Sequence, residues 1–139
     1  MIYLIVIKEN INNIDDFKYL YEKTFSKNIN KELLKISLKN TVYSVSIYDN
    51  NKIIGYGRLL GDAIYYVHIH NIMVLPEYQN QKIGTKIMNT LLKEITKIEK
   101  VNPDLKVYLA SFKGKENFYK KFNFLTREEL NMGKVMMLK

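Results

Sequence analysis

Residues 75–84, Leu75-Pro-Glu-Tyr-Gln-Asn-Gln-Lys-Ile-Gly84, form a polar stretch directly before a helical pattern of Ile83, Ile87, Leu91, Ile95 and Ile98. A polar loop that feeds a helix N-terminus is a ready site for an anion. The first-turn N–H groups have no intrahelical partner, and the helix dipole places roughly half a positive charge there. Gly84 would let the backbone approach a ligand closely, Thr85 adds a hydroxyl and Lys82 a full charge. Taken alone, one glycine at a helix start is equally well explained by turn geometry. No Gly-Lys-Ser/Thr follows a glycine-rich run, so this is not a P-loop. Gly-x-Gly-x-x-Gly is also missing, which excludes the dinucleotide fingerprint.

Three other groups could do chemistry. Tyr119, between Phe118 and Phe122, could donate a proton or could simply be a core aromatic. His68 and His70 stand at i, i+2, on one face of a predicted strand. A histidine base suits neutral pH, although each could be an ordinary strand residue. No third ligand stands out, so a metal site is not expected. Lys113, Lys115, Lys120 and Lys121 surround Tyr119 and could meet a phosphate or form a solvated face. Cysteine is absent, which removes thiolate zinc sites, cysteine nucleophiles and disulfide scaffolds together.

The elements that must position these groups are legible in outline. Residues 2–8 read as a buried strand. Asn12 and Asn13 can cap a helix with Ile14, Phe17, Tyr21 and Phe25 on its apolar face. Asn30 can cap a second, with Leu33, Leu34 and Leu38 inward. Residues 42–48, 52–60 and 64–74 predict an antiparallel meander, in which Gly55 and Gly57 are weak points or close-approach sites. Pro76 ends the third strand. A helix from about Ile83 to Val101, a strand over 106–110, a short helix from Lys113-Gly114 to about Phe122, and strands at 124–125 and 135–138 complete the chain. The order predicts a mixed α/β sheet with one parallel crossover.

The length, 139 residues, predicts a single domain over 1–139. The formal net charge of +8 suggests an anionic partner. Only Arg58 and Arg127 are arginines among the 22 basic residues, which argues against a nucleic-acid reader. No stretch approaches the roughly 20 apolar residues needed to span a bilayer. The apolar start lacks a basic lead-in and a small-residue cleavage site, so it does not read as a signal peptide and a cytoplasmic location is expected.

Ile72-Met-Val-Leu-Pro-Glu-Tyr-Gln-Asn-Gln-Lys-Ile-Gly-Thr85 resembles the acetyl-CoA loop of the GNAT superfamily of N-acetyltransferases. That pattern is a strand ending in an apolar residue, x and Val, then Pro-Glu-Tyr, then Gln/Arg-x-x-Gly-x-Gly/Ala. Gln79, Asn80, Gln81, Lys82, Ile83 and Gly84 fill the six positions, with Lys82 where the family usually has Gly. Phe118-Tyr-Lys-Lys-Phe-Asn-Phe124 resembles a second family motif, Phe-Tyr-x-x-x-Gly-Phe, with Asn123 in place of Gly. Gly55-Tyr-Gly-Arg-Leu-Leu-Gly-Asp62 resembles the strand pair before the loop in many small bacterial members. The resemblance covers about residues 40–125.

It implies a mixed, largely antiparallel α/β sheet with a splayed parallel strand pair, flanked by helices. It also implies transfer of acetyl from acetyl-CoA to a primary amine, on a small molecule or a peptide, by direct attack. On this reading the amides of residues 81–85 hold the pyrophosphate. Backbone groups near Ile72 and Val74 pair with pantetheine, and an N–H near Met73 meets the thioester oxygen. Asn117 could hydrogen-bond CoA, and Lys121 could meet its 3′-phosphate. Tyr119 matches the tyrosine that assists the departing thiolate, and His70 could take the amine proton. The Val135–Leu138 segment could pair across a homodimer. A non-catalytic acyl-CoA-binding module and a basic nucleic-acid-associated protein are the competing readings.

Overall fold

The computed structural model describes residues 4–139. These fall into two compact units, one ending at Leu109 and the other spanning Ala110–Lys139.

The first unit is built on five strands in the spatial order β1-β2-β3-β4-β5. They are β1 (Ile5–Glu9), β2 (Tyr43–Asp49), β3 (Lys52–Gly61), β4 (Tyr66–Val74) and β5 (Lys106–Leu109). The first four pair antiparallel, and β5 lies parallel to β4. The predicted first strand included Ile2 and Tyr3, which lie outside the described residues. The third strand starts at Tyr66, not at the predicted Ile64. Asp62 Oδ1 accepts the amides of Ile64, Tyr65 and Tyr66 at 2.8–2.9 Å and so holds that segment as a turn.

Both N-terminal helices begin where asparagine can cap them. Asn13 accepts from the Asp16 amide at 2.9 Å to start α1 (Ile14–Phe25), and Asn30 accepts from Leu33 at 2.9 Å to start α2 (Lys31–Leu38). Each cap contributes about 1 kcal/mol. Asn12 does not cap; its Oδ1 accepts from the Tyr56 hydroxyl at 2.7 Å and so ties the start of α1 to β3. Leu34 and Leu38 are buried as expected, but Leu33 is 66% exposed. It sits one residue, about 100°, off the buried stripe of an eight-residue helix.

Alternation along β3 assigns the helices to opposite faces. A Cβ added at Gly57 would lie 2.6 Å from Ile87 Cγ2 and 2.7 Å from Ile72 Cδ1; one at Gly55 would lie 2.9 Å from Ile83 Cγ2. Those residues face α3 (Ile83–Val101). Tyr56, the residue between, packs edge-on against Phe17 of α1 with ring centroids 5.0 Å apart. Gly55 and Gly57 are therefore close-approach sites. They let α3 settle on β3, where Ile87 and Leu91 are fully buried. Each such side chain contributes about 1.5–3 kcal/mol by burial.

In the second unit, α4 spans only Glu116–Lys120, shorter than the helix predicted to Phe122. The strands expected at 124–125 and 135–138 are absent. Asn123 and Asn131 adopt left-handed backbone (φ 69° and 56°), which interrupts extended structure. Val135 to Leu138 are 73–100% exposed and pair with no described strand. The proposed dimer strand thus has no regular structure to offer.

Candidate active site

Three features of the first unit converge at the C-terminal end of β4. The first is an unpaired edge. Parallel pairing with β5 runs from Tyr66↔Lys106 to Ile69↔Leu109 and stops there, while β4 continues to Val74. The Leu75 amide donates to Ile54 O at 2.9 Å, toward β3. Strand alternation then turns the Met73 backbone toward β3, opposite Tyr56, and the backbone groups of Val74 and Ile72 toward the open edge. Met73 itself is buried, and its own N–H is directed into the sheet.

The second feature is a bulge. On β3, Tyr56 and Arg58 are two residues apart; their partners on β4, Met73 and His70, are three apart. Asn71 and Ile72 therefore stand opposite Gly57 alone. Asn71 takes the left-handed conformation (φ 53°), one of the backbone states by which a strand accommodates an extra residue. Beside it His70 lies across from Arg58, exposed, with its ring 5.3 Å from that of His68. Desolvation by its neighbours, then the charge of His68, then that of Arg58 all hold the His70 pKa below its ordinary value. The neutral, proton-accepting form is favoured.

The third is the loop. A single 3₁₀ turn, Pro76–Tyr78, follows β4. The Tyr78 hydroxyl donates to Asp49 Oδ2 at 2.6 Å and the Lys52 ammonium sits 5.6 Å over its ring, so the tyrosine anchors the turn. Lys52 also pairs with Glu77 at 3.3 Å. The Gln79 side-chain amide donates to Val74 O and that of Gln81 to Glu77 O, each at 3.1 Å. Asn80 and Lys82 are both left-handed, with φ 62° and 66°. Lys82 is the residue preceding α3, makes no capping bond with its side chain and is exposed. Ile83, Gly84 and Thr85 form the first turn of α3. Ile83 is buried under β3, so the helix start is fixed by the core.

Within the second unit, Asn117, Tyr119 and Lys121 lie on or just after α4; Asn117 and Lys121 are exposed. Phe118 packs edge-on against Tyr119 and Phe122, with centroids 5.1 and 5.4 Å apart. No described residue hydrogen-bonds to the Tyr119 hydroxyl. Burial raises its pKa above the ordinary value, which keeps it a protonated donor.

Sequence reasoning missed Arg58. It is only 6% exposed. Its Nε donates to Asn71 Oδ1 at 2.8 Å, Nη1 to Thr41 Oγ1 at 3.0 Å and Ser37 O at 3.3 Å, and Nη2 to Ser37 Oγ at 3.1 Å. The available signal was an arginine at a position whose neighbours alternate as core.

A family model for the acetyltransferase (GNAT) domain matches residues 11–133. The chain belongs to the GNAT acetyltransferase family. A GNAT-family acetyltransferase from Streptococcus pneumoniae TIGR4 superposes with a TM-score of 0.81 at 25% identity, over 98% of each chain. An uncharacterised N-acetyltransferase, ycf52, of Gracilaria tenuistipitata var. liui is 28% identical over 97 residues, 67% of this chain. The chain spans about half (51%) of that relative's length. An aminoglycoside 6′-N-acetyltransferase crystallised with coenzyme A shares the fold, with a TM-score of 0.58 at 21% identity, over 67% of this chain and 56% of its own. In this GNAT chain the five-stranded mixed sheet, parallel only between β4 and β5, is the predicted architecture.

Proposed function

We propose that this GNAT chain transfers the acetyl group of acetyl-CoA to a primary amine, and that residues 1–139 work as one catalytic domain, as the match over 11–133 suggests. The observation that carries this is the unpaired edge of β4 leading into a loop and a core-fixed helix N-terminus. The edge offers the Ile72 backbone and the Val74 N–H as an added-strand partner for pantetheine, Val74 O already accepting from the Gln79 side chain. The amides of residues 81–85 offer an anion site for the pyrophosphate. A homologous fold that carries coenzyme A supports the choice of ligand. Lys82 and Asn123 stand where the family has glycine, and both adopt the left-handed backbone that glycine favours. They fit the motif's geometry instead of disabling it.

The reaction forms a C–N bond and breaks a C–S bond. The amine nitrogen attacks the thioester carbon. The developing oxyanion needs a donor at the open edge, and the Ile72 or Val74 N–H suits this better than that of Met73. The amine gives its proton to neutral His70 or to water. The thiolate departs with a hydrogen bond from Tyr119, a role supported by the resemblance of residues 118–124 to the family motif. Ordinary pKa values of about 10 for tyrosine and 8.5 for a thiol make full transfer uphill by about 2 kcal/mol. The raised pKa of Tyr119 steepens that climb, so it acts as a hydrogen-bond donor more than as an acid. No described helix is long and apolar enough to cross a membrane; we place the reaction in the cytoplasm. The test is free-thiol release from acetyl-CoA over a panel of small amines and peptides, with release above the hydrolytic background expected for at least one acceptor.

A further inference from the structure

We infer that Arg58 and Asn71 form a positioning pair that holds the β4 bulge, and through it the unpaired stretch of β4, in place for the acyl-pantetheine arm of CoA. This rests on the acyl-CoA reading above.

Arg58 is a buried cation, and no carboxylate among the described residues pairs with it. Burying a charge is costly unless its hydrogen bonds are met. Here neutral oxygens meet them. Three of its bonds go to one place: the carbonyl and hydroxyl of Ser37 and the hydroxyl of Thr41, at the C-terminal end of α2. The negative end of that helix's dipole suits a cation. The guanidinium carbon also lies 5.9 Å over the Phe17 ring of α1. These contacts fix the fork from the side of the helices.

Its remaining bond, from Nε, reaches Asn71 Oδ1 at 2.8 Å. Asn71 is the left-handed residue of the bulge, two positions beyond the last residue of β4 that pairs with β5. Because the guanidinium is planar and rigid, it sets the distance between the α2 end and the bulge. The bulge in turn decides which backbone groups β4 presents at its free edge, since each inserted residue reverses the alternation downstream. Asn71 meets two demands at once. It tolerates φ > 0, and it carries an acceptor for Nε. Glycine meets only the first; aspartate meets both.

The experiment measures dissociation constants of wild type and of Asn71→Gly, Asn71→Asp and Arg58→Lys for two ligands, acetyl-CoA and adenosine 3′,5′-bisphosphate, which lacks the pantetheine arm. Melting temperatures of all four proteins establish that each is folded. Asn71→Gly, which loses one charge-assisted hydrogen bond, should weaken acetyl-CoA by about tenfold, and Arg58→Lys, which gives up the planar fork and its four bonds, by at least as much. Both should bind the bisphosphate within about twofold of wild type, as expected of an independent site. Asn71→Asp should restore acetyl-CoA binding. Equal weakening for the two ligands, or unchanged acetyl-CoA binding in both variants, would overturn the pair's positioning role. If wild type binds neither ligand, the acyl-CoA reading fails and the proposal falls with it.

Discussion

The segment from Tyr66 to Thr85 and the segment from Ala110 to Lys139 hold the candidate functional groups in different ways. The first offers mainly backbone: the edge of β4 at Ile72 and Val74, and the first-turn amides of α3. Those amides are fixed by burial of Ile83, Ile87, Leu75 and Met73, each no more than 4% exposed. The second offers side chains, Tyr119 above all, on a five-residue helix in a segment where no residue is fully buried. Backbone groups held by a core bind without depending on side-chain identity, whereas a single side chain can be removed without disturbing what surrounds it. Binding and turnover should therefore separate by mutation.

Tyr119→Phe is expected to have the largest effect. It keeps the ring packing against Phe118 and removes only the hydroxyl. Turnover should fall by about ten- to a thousand-fold with acetyl-CoA affinity nearly unchanged. Steady-state kinetics with an identified acceptor, beside a binding titration, reads both. A loss of affinity equal to the loss of turnover would erase the distinction between the two segments.

His70→Gln should lower kcat/KM at pH 7 by about ten- to a hundred-fold if the imidazole takes the amine proton. The neutral ring is the active form, and its pKa is held below the ordinary value of about 6.5. Wild-type activity should therefore be full at pH 7 and decline only as the pH falls further into the acid range. The variant should lose that acid limb, which a pH–rate profile shows directly. An identical limb in His70→Gln would assign proton acceptance to water.

Gly57→Val tests the backbone scaffold from beneath. Its Cβ would lie 2.6 Å from Ile87 Cγ2, on a helix that cannot retreat without exposing its core face. Stability should drop by about 1–3 kcal/mol, several degrees of melting temperature for a chain of this size. Acetyl-CoA affinity should fall with it, because the start of α3 is displaced.

The smallest effects are expected at Lys82. Lys82→Ala leaves a non-glycine residue in the left-handed region and removes only the charge. CoA affinity should fall a few-fold, less so at high salt. Lys82→Gly also relieves the backbone and should raise unliganded stability by up to about 1 kcal/mol. Equal melting temperatures for these two variants would mean that the left-handed backbone costs little at this loop.

The sequence pattern located the meander, both asparagine caps, the bounds of α3 and the loop before it. Periodicity, turn chemistry and Pro76 act locally, so they can be read without knowing the fold. What it missed depends on register. The bulge at Asn71 shows fully only when β4 is laid against β3; its one trace in the sequence is that Asn71 falls where the alternation of Val67 and Ile69 calls for an apolar residue. Arg58 had no role until the end of α2, with Ser37 and Thr41, and the bulge at Asn71 were brought to it from distant parts of the chain. The direction of the Met73 amide follows from pairing with Tyr56, which no spacing rule supplies. At the C-terminus the error was the opposite one: four apolar residues, Val135 to Leu138, satisfied strand propensity with no partner strand to pair them.

The measurement that bears most directly on the acyl-CoA site is the melting temperature of the wild-type chain titrated with acetyl-CoA. Saturation to about 100 times the dissociation constant should add about 2.7 kcal/mol of stability, an upward shift of several degrees. Adenosine 3′,5′-bisphosphate should give a smaller shift, since it engages the loop and helix start but not the edge of β4. No shift at millimolar acetyl-CoA would contradict the central claim that the open edge of β4 and the N-terminus of α3 together form an acyl-CoA site.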